Sequence, residues 1–252
     1  MLLEHVLACP RSWLLAHDTD PLAAEAVTRF LQLQSRRVAG EPMAYLVGTR
    51  EFMGHTFEVA PGVLIPRPDT ELLVETALAY GLAQDEAIDV LDMGTGSGAI
   101  AISLALARVT FRVTATDVSA QALAIARDNA HRLGATVRWL SGSWFGALGR
   151  GEKFDLIVSN PPYIAQDDPH LSEGDLRFEP SGALTDGGDG LSDLRILIQG
   201  APDFLKPGGA LWVEHGWRQA GVVRELLLST GFTRVASRRD LSGIERISGG
   251  YL

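Results

Sequence analysis

The apolar run Phe154-Asp155-Leu156-Ile157-Val158 is followed, after Ser159, by Asn160-Pro161-Pro162-Tyr163. In an open α/β sheet, ligands bind beyond the carboxyl ends of the strands. Prolines have no N–H to donate and hold the chain extended, and a pre-proline residue is kept out of the helical region. The carbonyls of this tetrapeptide and the Asn160 side chain would therefore face a cleft as fixed acceptors and donors. Such a cluster suits a planar amide or amino nitrogen that must be oriented for attack. An ordinary strand-ending turn has the same composition, and the tetrapeptide alone does not separate the two readings.

A second motif lies upstream. The strand-like Val90-Leu91-Asp92-Met93 enters Gly94-Thr95-Gly96-Ser97-Gly98, and Ala99-Ile100-Ala101-Ile102 opens a run of helical period. Gly94 and Gly96 permit a tight turn and a close approach of backbone to ligand, and a helix starting near Gly98 offers free N–H groups. The glycines do not fit G-x-G-x-x-G, which argues against a dinucleotide. A further strand, Phe111 to Thr116, ends at Asp117, about 20 residues after the loop, where a carboxylate can take both hydroxyls of a ribose. An adenosine-bearing ligand without a diphosphate fits this arrangement best.

The elements that must position these motifs alternate. Strands are expected near 88–93, 111–116, 136–140, 154–159 and 210–214, and helices near 98–107, 119–133, 191–205 and 217–229, a pattern of crossovers and a mostly parallel sheet. Residues 232–237 and 244–248 read as an antiparallel terminal pair. Residues 1–41 read as short helices of a small domain, which begins already apolar and is expected to lack an N-terminal helix. Residues 42–68 read as a hairpin connector, with strands at Tyr45–Gly48 and Thr56–Val59 around a Gly54 turn. The sheet domain is then 69–252, its first helix capped by Asp69 and facing inward through Leu72, Leu73, Thr76 and Ala77.

Composition excludes several classes. The 252 residues are 46% hydrophobic, enough for a full α/β core and a small second domain. Net charge is −9, and Lys153 and Lys206 are the only lysines, so no lysine-rich strip tracks phosphates and nucleic acid is not an expected direct partner. Cys9 is the single cysteine and reads as a small hydrophobe in a reducing compartment. No apolar stretch is long enough to span a membrane, and a cytoplasmic monomer is expected. The six histidines are scattered without metal-ligand spacing, so no metal is expected, and His215 reads as a satisfied strand-end residue that could also line the cleft. Asp167-Asp168 and Asp186-Gly187-Gly188-Asp189 read either as a cation loop or as a mobile lid. Asp92 either orients the glycine loop or meets an amino group of the ligand.

The glycine loop, Asp117, Ser143-Trp144-Phe145, Asn160 to Tyr163, Phe178-Glu179-Pro180, Asp189-Gly190-Leu191, Pro207-Gly208-Gly209 and the connector Ile65 to Glu71 together resemble the peptide chain release factor N5-glutamine methyltransferases. The resemblance spans nearly the whole chain. It implies an α/β fold: a seven-stranded Rossmann-like class I S-adenosylmethionine-dependent methyltransferase domain behind a small N-terminal helical domain and a β-hairpin connector. It also implies methyl transfer to the glutamine of a Gly-Gly-Gln motif in class I release factors, leaving S-adenosylhomocysteine. By the same resemblance, Gly94, Thr95, Gly96, Ser97 and Gly98 hold the methionine end of the cofactor, Asp117 the ribose, and Trp144 lies against adenine. Asn160 and Pro161 take the substrate amide, Pro162 and Tyr163 complete its pocket, and Asn160 also borders the cofactor. The chain departs from the family pattern at Ser143, where an acid is usual. A ribosomal-protein glutamine methyltransferase, a nucleic-acid amino methyltransferase and a non-catalytic nucleotide-binding scaffold remain alternatives. The first shares all the chemistry, the second needs a flipped base, and the third has no use for an ordered Asn160 to Tyr163.

Overall fold

The computed structural model describes residues 1–83 and 86–252. The chain opens with α1 (Leu2–Leu7), α2 (Arg11–Ala16), α3 (Ala24–Val38) and α4 (Met43–Val47), followed by a hairpin of β1 (Thr49–Phe52) and β2 (His55–Glu58). The remaining elements are α5 (Pro68–Leu82), β3 (Ile88–Met93), α6 (Ala99–Ala107), β4 (Phe111–Asp117), α7 (Ala120–Leu133), β5 (Arg138–Ser141), β6 (Phe154–Ser159), α8 (Ser192–Gly200), β7 (Leu205–Glu214), α9 (Ala220–Ser229), β8 (Thr233–Arg239) and β9 (Glu245–Tyr251). Among the described residues the large sheet has seven strands in the order β5-β4-β3-β6-β7-β9-β8. All its pairings are parallel except those of β9, which runs antiparallel to both β7 and β8.

The central strands are apolar on both faces, as a sheet covered on both sides requires. Val90, Leu156, Val158, Ala210 and Trp212 meet Leu73, Val74 and Ala77 of α5 and the apolar side of α6 in one layer of core. Leu91, Met93, Ile157, Leu211 and Val213, one residue out of phase, meet Leu194, Leu197 and Ile198 of α8 and Val223 and Leu227 of α9 in the other. The N-terminal helices are different: α1 and α2 bury no residue and α3 buries only Leu33. Arg37 pairs with Asp175 at 3.1 Å, and Arg177 donates to the Ala39 carbonyl at 2.7 Å, tying this region to the loop that follows β6.

Three expectations are corrected. Tyr45 to Val47 form α4, not a strand; Pro42 precedes this helix and Gly48 ends it in the left-handed region, so the first arm of the hairpin is Thr49–Phe52. The two arms turn through Met53 and Gly54, both with positive φ, the geometry that suits a two-residue hairpin. Asp69 does not cap α5: Arg67 stands at the cap position, Pro68 supplies the preset φ of the first turn, and Asp69 pairs with Arg246 at 3.2 Å. The helix expected to reach residue 205 stops at Gly200, because Pro202 breaks it into a 3-10 turn and β7 starts at Leu205.

One side chain joins the hairpin to the sheet. Asn129 of α7 accepts from the Glu58 N–H at 2.7 Å and donates at 3.0 Å to the carbonyls of both Glu58 and Ser97. The segment after the hairpin packs Val59, Val63 and Ile65 against Tyr45 and Ala122. Ile65 and Arg67 are both held by the buried carboxylate of Glu179, the first through its N–H at 2.9 Å and the second through an ion pair.

Candidate active site

The site follows from the register of two strands. β3 and β6 are parallel neighbours with Met93 opposite Ser159, and the Ser159 hydroxyl donates to the Met93 carbonyl at 2.7 Å. The glycine loop and the tetrapeptide therefore leave the sheet side by side. β3 goes on to pair with β4 on one flank while β6 pairs with β7 on the other, so this is the switch point of the sheet, where a crevice must open. A cavity of about 330 Å³ occupies it, bordered by Gly94, Gly96, Asp117, Trp144, Asn160 and Pro162, among others.

On the β3 side, the backbone N–H groups of Gly94 and Thr95 both donate to the Thr116 carbonyl, at 2.9 and 3.0 Å. Gly96 N–H reaches Asp117 Oδ2 at 2.8 Å, and Ser119 N–H reaches Asp117 Oδ1 at 2.8 Å. Each carboxylate oxygen keeps a further lone pair for a hydroxyl. The glycines have φ of +73°, +56° and +83° at 94, 96 and 98, a region that side chains avoid. A Cβ at Gly96 would meet nothing, whereas one at Gly98 would stand 2.7 Å from Ile102 Cδ1, so Gly98 serves packing. Thr95 and Ser97 are largely buried and border not this cavity but a smaller one on the other side of the loop, shared with Gly94, Gly96, Thr70 and Asn160. Thr95 Oγ1 donates to Asp92 Oδ2 at 2.6 Å, and Ala101 N–H reaches the same oxygen at 3.2 Å. Asp92 thus orients the loop. Its Oδ1 is buried without a partner among the described residues, and burial pushes its pKa up to about 7 against the Thr95 and Ala101 bonds.

Trp144, at φ +44°, lines the cavity beside Gly94, with its ring about 3.5 Å from where a Gly94 Cβ would lie. Its indole N–H donates to Asp193 Oδ1 at 3.0 Å. Asp193 itself borders the cavity, and burial raises its pKa despite that bond, with the charge of Asp186 adding to the rise. Ser143 also lines the cavity, so the carboxylate on this wall comes from α8 and not from the residue before the tryptophan.

On the β6 side, Asn160 Nδ2 donates to Thr70 Oγ1 at 3.1 Å, which leaves Asn160 Oδ1 as the free acceptor. Among the described residues no donor reaches the Pro161 carbonyl. Tyr163 turns away from the cavity: its hydroxyl donates to Glu214 Oε1 at 3.1 Å, and its carbonyl accepts from Gln219 Nε2 at 3.0 Å. Burial, with Glu214 beside it, raises the Tyr163 pKa well above the usual phenol range. Gly190 is required here, since a Cβ on it would stand 2.3 Å from the Tyr163 carbonyl oxygen. Asp193 and Gln219 carry no local signal in the sequence; Thr70 is flagged only as part of the connector Ile65 to Glu71, and Glu214 only by ending an apolar strand.

The acidic segments do not form a cation loop. Asp186 accepts from the N–H groups of Gly188, Gly190 and Ser192 at 2.8, 3.0 and 2.7 Å. Burial acts to raise its pKa, but these bonds outweigh burial and hold it low. Asp189 pairs with Arg195, and Asp168 with His170. Among the described residues no three His, Cys, Asp or Glu side chains gather as metal ligands. His215 is buried, with Nε2 2.8 Å from Ser248 Oγ and Nδ1 3.0 Å from the Gly216 carbonyl, and burial lowers its pKa.

This sheet, with a glycine loop and an Asn-Pro-Pro-Tyr segment at its switch point, defines a class I methyltransferase. Residues 68–189 match the Methyltransferase small domain, and residues 1–48 match the PrmC N-terminal domain. The fold recurs in a methyltransferase from Pyrococcus furiosus (TM-score 0.59, 22% identity, 87% of this chain and 97% of that one). It recurs also in the T. thermophilus 16S rRNA N2 G1207 methyltransferase in complex with AdoMet and guanosine (TM-score 0.61, 20% identity, 81% and 49%). The release factor glutamine methyltransferase of Bordetella pertussis is 62% identical over all of this chain and 93% of its own length. That of Burkholderia pseudomallei is 53% identical over all of this chain and 90% of its own. The chain belongs to the release factor glutamine methyltransferases.

Proposed function

We propose that this chain transfers a methyl group from S-adenosylmethionine to the side-chain nitrogen of the glutamine in the Gly-Gly-Gln motif of class I peptide chain release factors, in the cytoplasm. The residues present fit the cofactor. Gly96 leaves an open cradle, Asp117 keeps lone pairs for two hydroxyls, Asp92 Oδ1 is a buried acceptor without a partner behind the loop, and Trp144 offers a flat apolar wall. Gly94, Gly96, Asp117 and Trp144 would hold it directly, with Thr95, Ser97 and Gly98 shaping the loop. The bound cofactor supplies an electrophilic methyl group on a sulfonium.

The single observation that carries the acceptor assignment is the Asn160 amide, committed through Nδ2 to Thr70 and open at Oδ1 where the glycine loop adjoins. A carboxamide nitrogen is a poor nucleophile because its lone pair is delocalised, so positioning supplies most of the acceleration. Asn160 Oδ1 and the Pro161 carbonyl accept the two hydrogens of the substrate amide. They steer its nitrogen and stabilise the positive charge that develops on it. The proton leaves to water, and no side chain is assigned as a base. Purified enzyme with radiolabelled S-adenosylmethionine, a release factor, its Gly-Gly-Ala variant and total nucleic acid tests the reading. Label on the wild-type factor alone is expected. Label on nucleic acid, or equal label on the Gly-Gly-Ala variant, overturns it.

A further inference from the structure

Asn160 has two ways to sit, related by a flip of its amide, and only one presents an oxygen to the substrate. A primary amide that is to be held by two hydrogens needs acceptors on both sides; an Asn160 NH2 facing it would repel those hydrogens. The choice between the two is made beneath the site. Thr70 is buried in the first turn of α5, and its Oγ1 accepts from Asn160 Nδ2 at 3.1 Å. A hydroxyl that accepts from one neighbour has its own proton left for another. Glu214, the last residue of β7 and only 1% exposed, has the Thr70 hydroxyl among the groups that favour its charged form, although no hydrogen bond of good geometry joins the two in the structure. The other neighbour of that carboxylate is the Tyr163 hydroxyl, at 3.1 Å from Oε1, while Oε2 has no hydrogen-bond partner among the described residues.

Resting on the functional reading above, we propose that Thr70 and Glu214 are positioning residues for methyl transfer. The buried carboxylate orients the Thr70 hydroxyl, the hydroxyl orients the Asn160 amide, and the same carboxylate anchors Tyr163, so both ends of the tetrapeptide are set by one unit. The first link, from Asn160 N–H to Thr70 Oγ1, is formed in the structure, and the proposed second link, from the Thr70 O–H to the carboxylate, would keep the polarity running in one direction. A neutral carboxyl would supply a donor instead, allow the Thr70 hydroxyl to turn toward Asn160, and favour the flipped amide. The groups facing Glu214 are Thr70 and Asp69 of α5, Tyr163 of the tetrapeptide and Arg246 of β9. His215, next along its own chain, is committed to Ser248 and Gly216. Burial pushes the Glu214 pKa up to about 7, Asp69 adds to the rise, and Thr70, Tyr163 and Arg246 oppose it. The working form is the deprotonated one, so turnover is expected to fall as pH drops through about 7.

The test compares wild type with Thr70→Val, Thr70→Ser and Glu214→Gln. The readouts are kcat and KM for the release factor across the pH range, S-adenosylhomocysteine affinity by calorimetry, and Tm. Thr70→Val keeps shape and loses the hydroxyl; it should lower kcat about 10²-fold, the loss expected when a reacting group is misplaced by about an ångström, and leave S-adenosylhomocysteine affinity unchanged. Thr70→Ser should restore most of the rate. Glu214→Gln, whose NH2 imitates the neutral acid, should hold the low-pH rate at every pH. The proposal is overturned if Thr70→Val turns over like wild type, if Thr70→Ser is no better than Thr70→Val, if Glu214→Gln keeps the acid limb, or if rates simply follow Tm. Wild-type enzyme that places no label on the release factor would overturn the functional reading instead.

Discussion

The two walls of the crevice are built differently. On the β3 side the loop is held mainly by backbone: three glycines with positive φ, and N–H groups of Gly94 and Thr95 sharing the Thr116 carbonyl of the adjacent strand. On the β6 side the tetrapeptide is held by side chains brought from afar, with Thr70, Glu214 and Gln219 lying 90, 51 and 56 positions away from the residues they bind. Prolines remove the N–H groups a backbone scheme would use, so the second wall has to be fixed in this way. The difference teaches where substitutions act. Under the proposed function, changes on the first wall are expected to alter how tightly the cofactor is held, and changes on the second how the acceptor is aimed.

Asn160→Ala should break the comparison most visibly if it is wrong. Loss of an acceptor aimed at developing charge is expected to lower kcat by about 10²- to 10³-fold, with cofactor affinity by calorimetry largely retained. Equal loss of binding and turnover would mean that the walls are one unit. Asp117→Ala should show the converse. Removing the acceptor of two hydroxyls and of Gly96 N–H should weaken S-adenosylhomocysteine binding by roughly 10²-fold, on the scale of hydrogen bonds to a charged group, and raise the KM for the cofactor more than it lowers kcat.

The smallest effect concerns stability and sharpens the account of the first wall. Burial pushes the Asp92 pKa up to about 7 from its ordinary 3.8, so the folded protein binds its proton more tightly than the unfolded chain does. Its favourable contribution is fully present below the unfolded value and is lost as pH rises toward and through about 7. Without cofactor, Tm should therefore climb as pH falls from 8 toward 5, and Asp92→Asn, which keeps an acceptor for Thr95 and Ala101, should flatten that slope. A slope identical in the variant would assign the effect to other groups.

Much of the fold is legible because the central strands are apolar runs bounded by glycine, proline and charge, and their period differs plainly from that of the helices. The misreading at Tyr45 to Gly48 came from a short apolar run, Tyr45-Leu46-Val47, that suits a strand as well as a helix. Of the helix signals there, Pro42 lies before Tyr45 to Gly48, and Gly48, the last of those residues, is the left-handed end of the helix. The lining of the crevice was legible where its signal is local, at Gly94, Gly96, Asp117 and Asn160. The roles of Thr70, Asp193 and Gln219 were not, because each is an ordinary helix-end residue until the sheet order brings it to the crevice. Trp144 was legible as a site residue; its hydrogen bond to Asp193, 49 positions on, was not.

The stitch made by Asn129 has a consequence for how the chain comes into being. The hairpin leaves the ribosome with Phe52 and Phe57 ready to be buried, but the amide that satisfies Glu58 lies 71 residues further on. At synthesis rates of about 5–20 residues per second, that partner follows roughly 4 to 14 seconds later. For that interval the Glu58 backbone lacks this partner, although α5, β3 and α6, which share a core with Phe52 and Phe57, emerge sooner. Completion of the stitch is thus timed by translation itself, and synonymous changes that slow elongation between β2 and α7 would delay it without altering a single side chain.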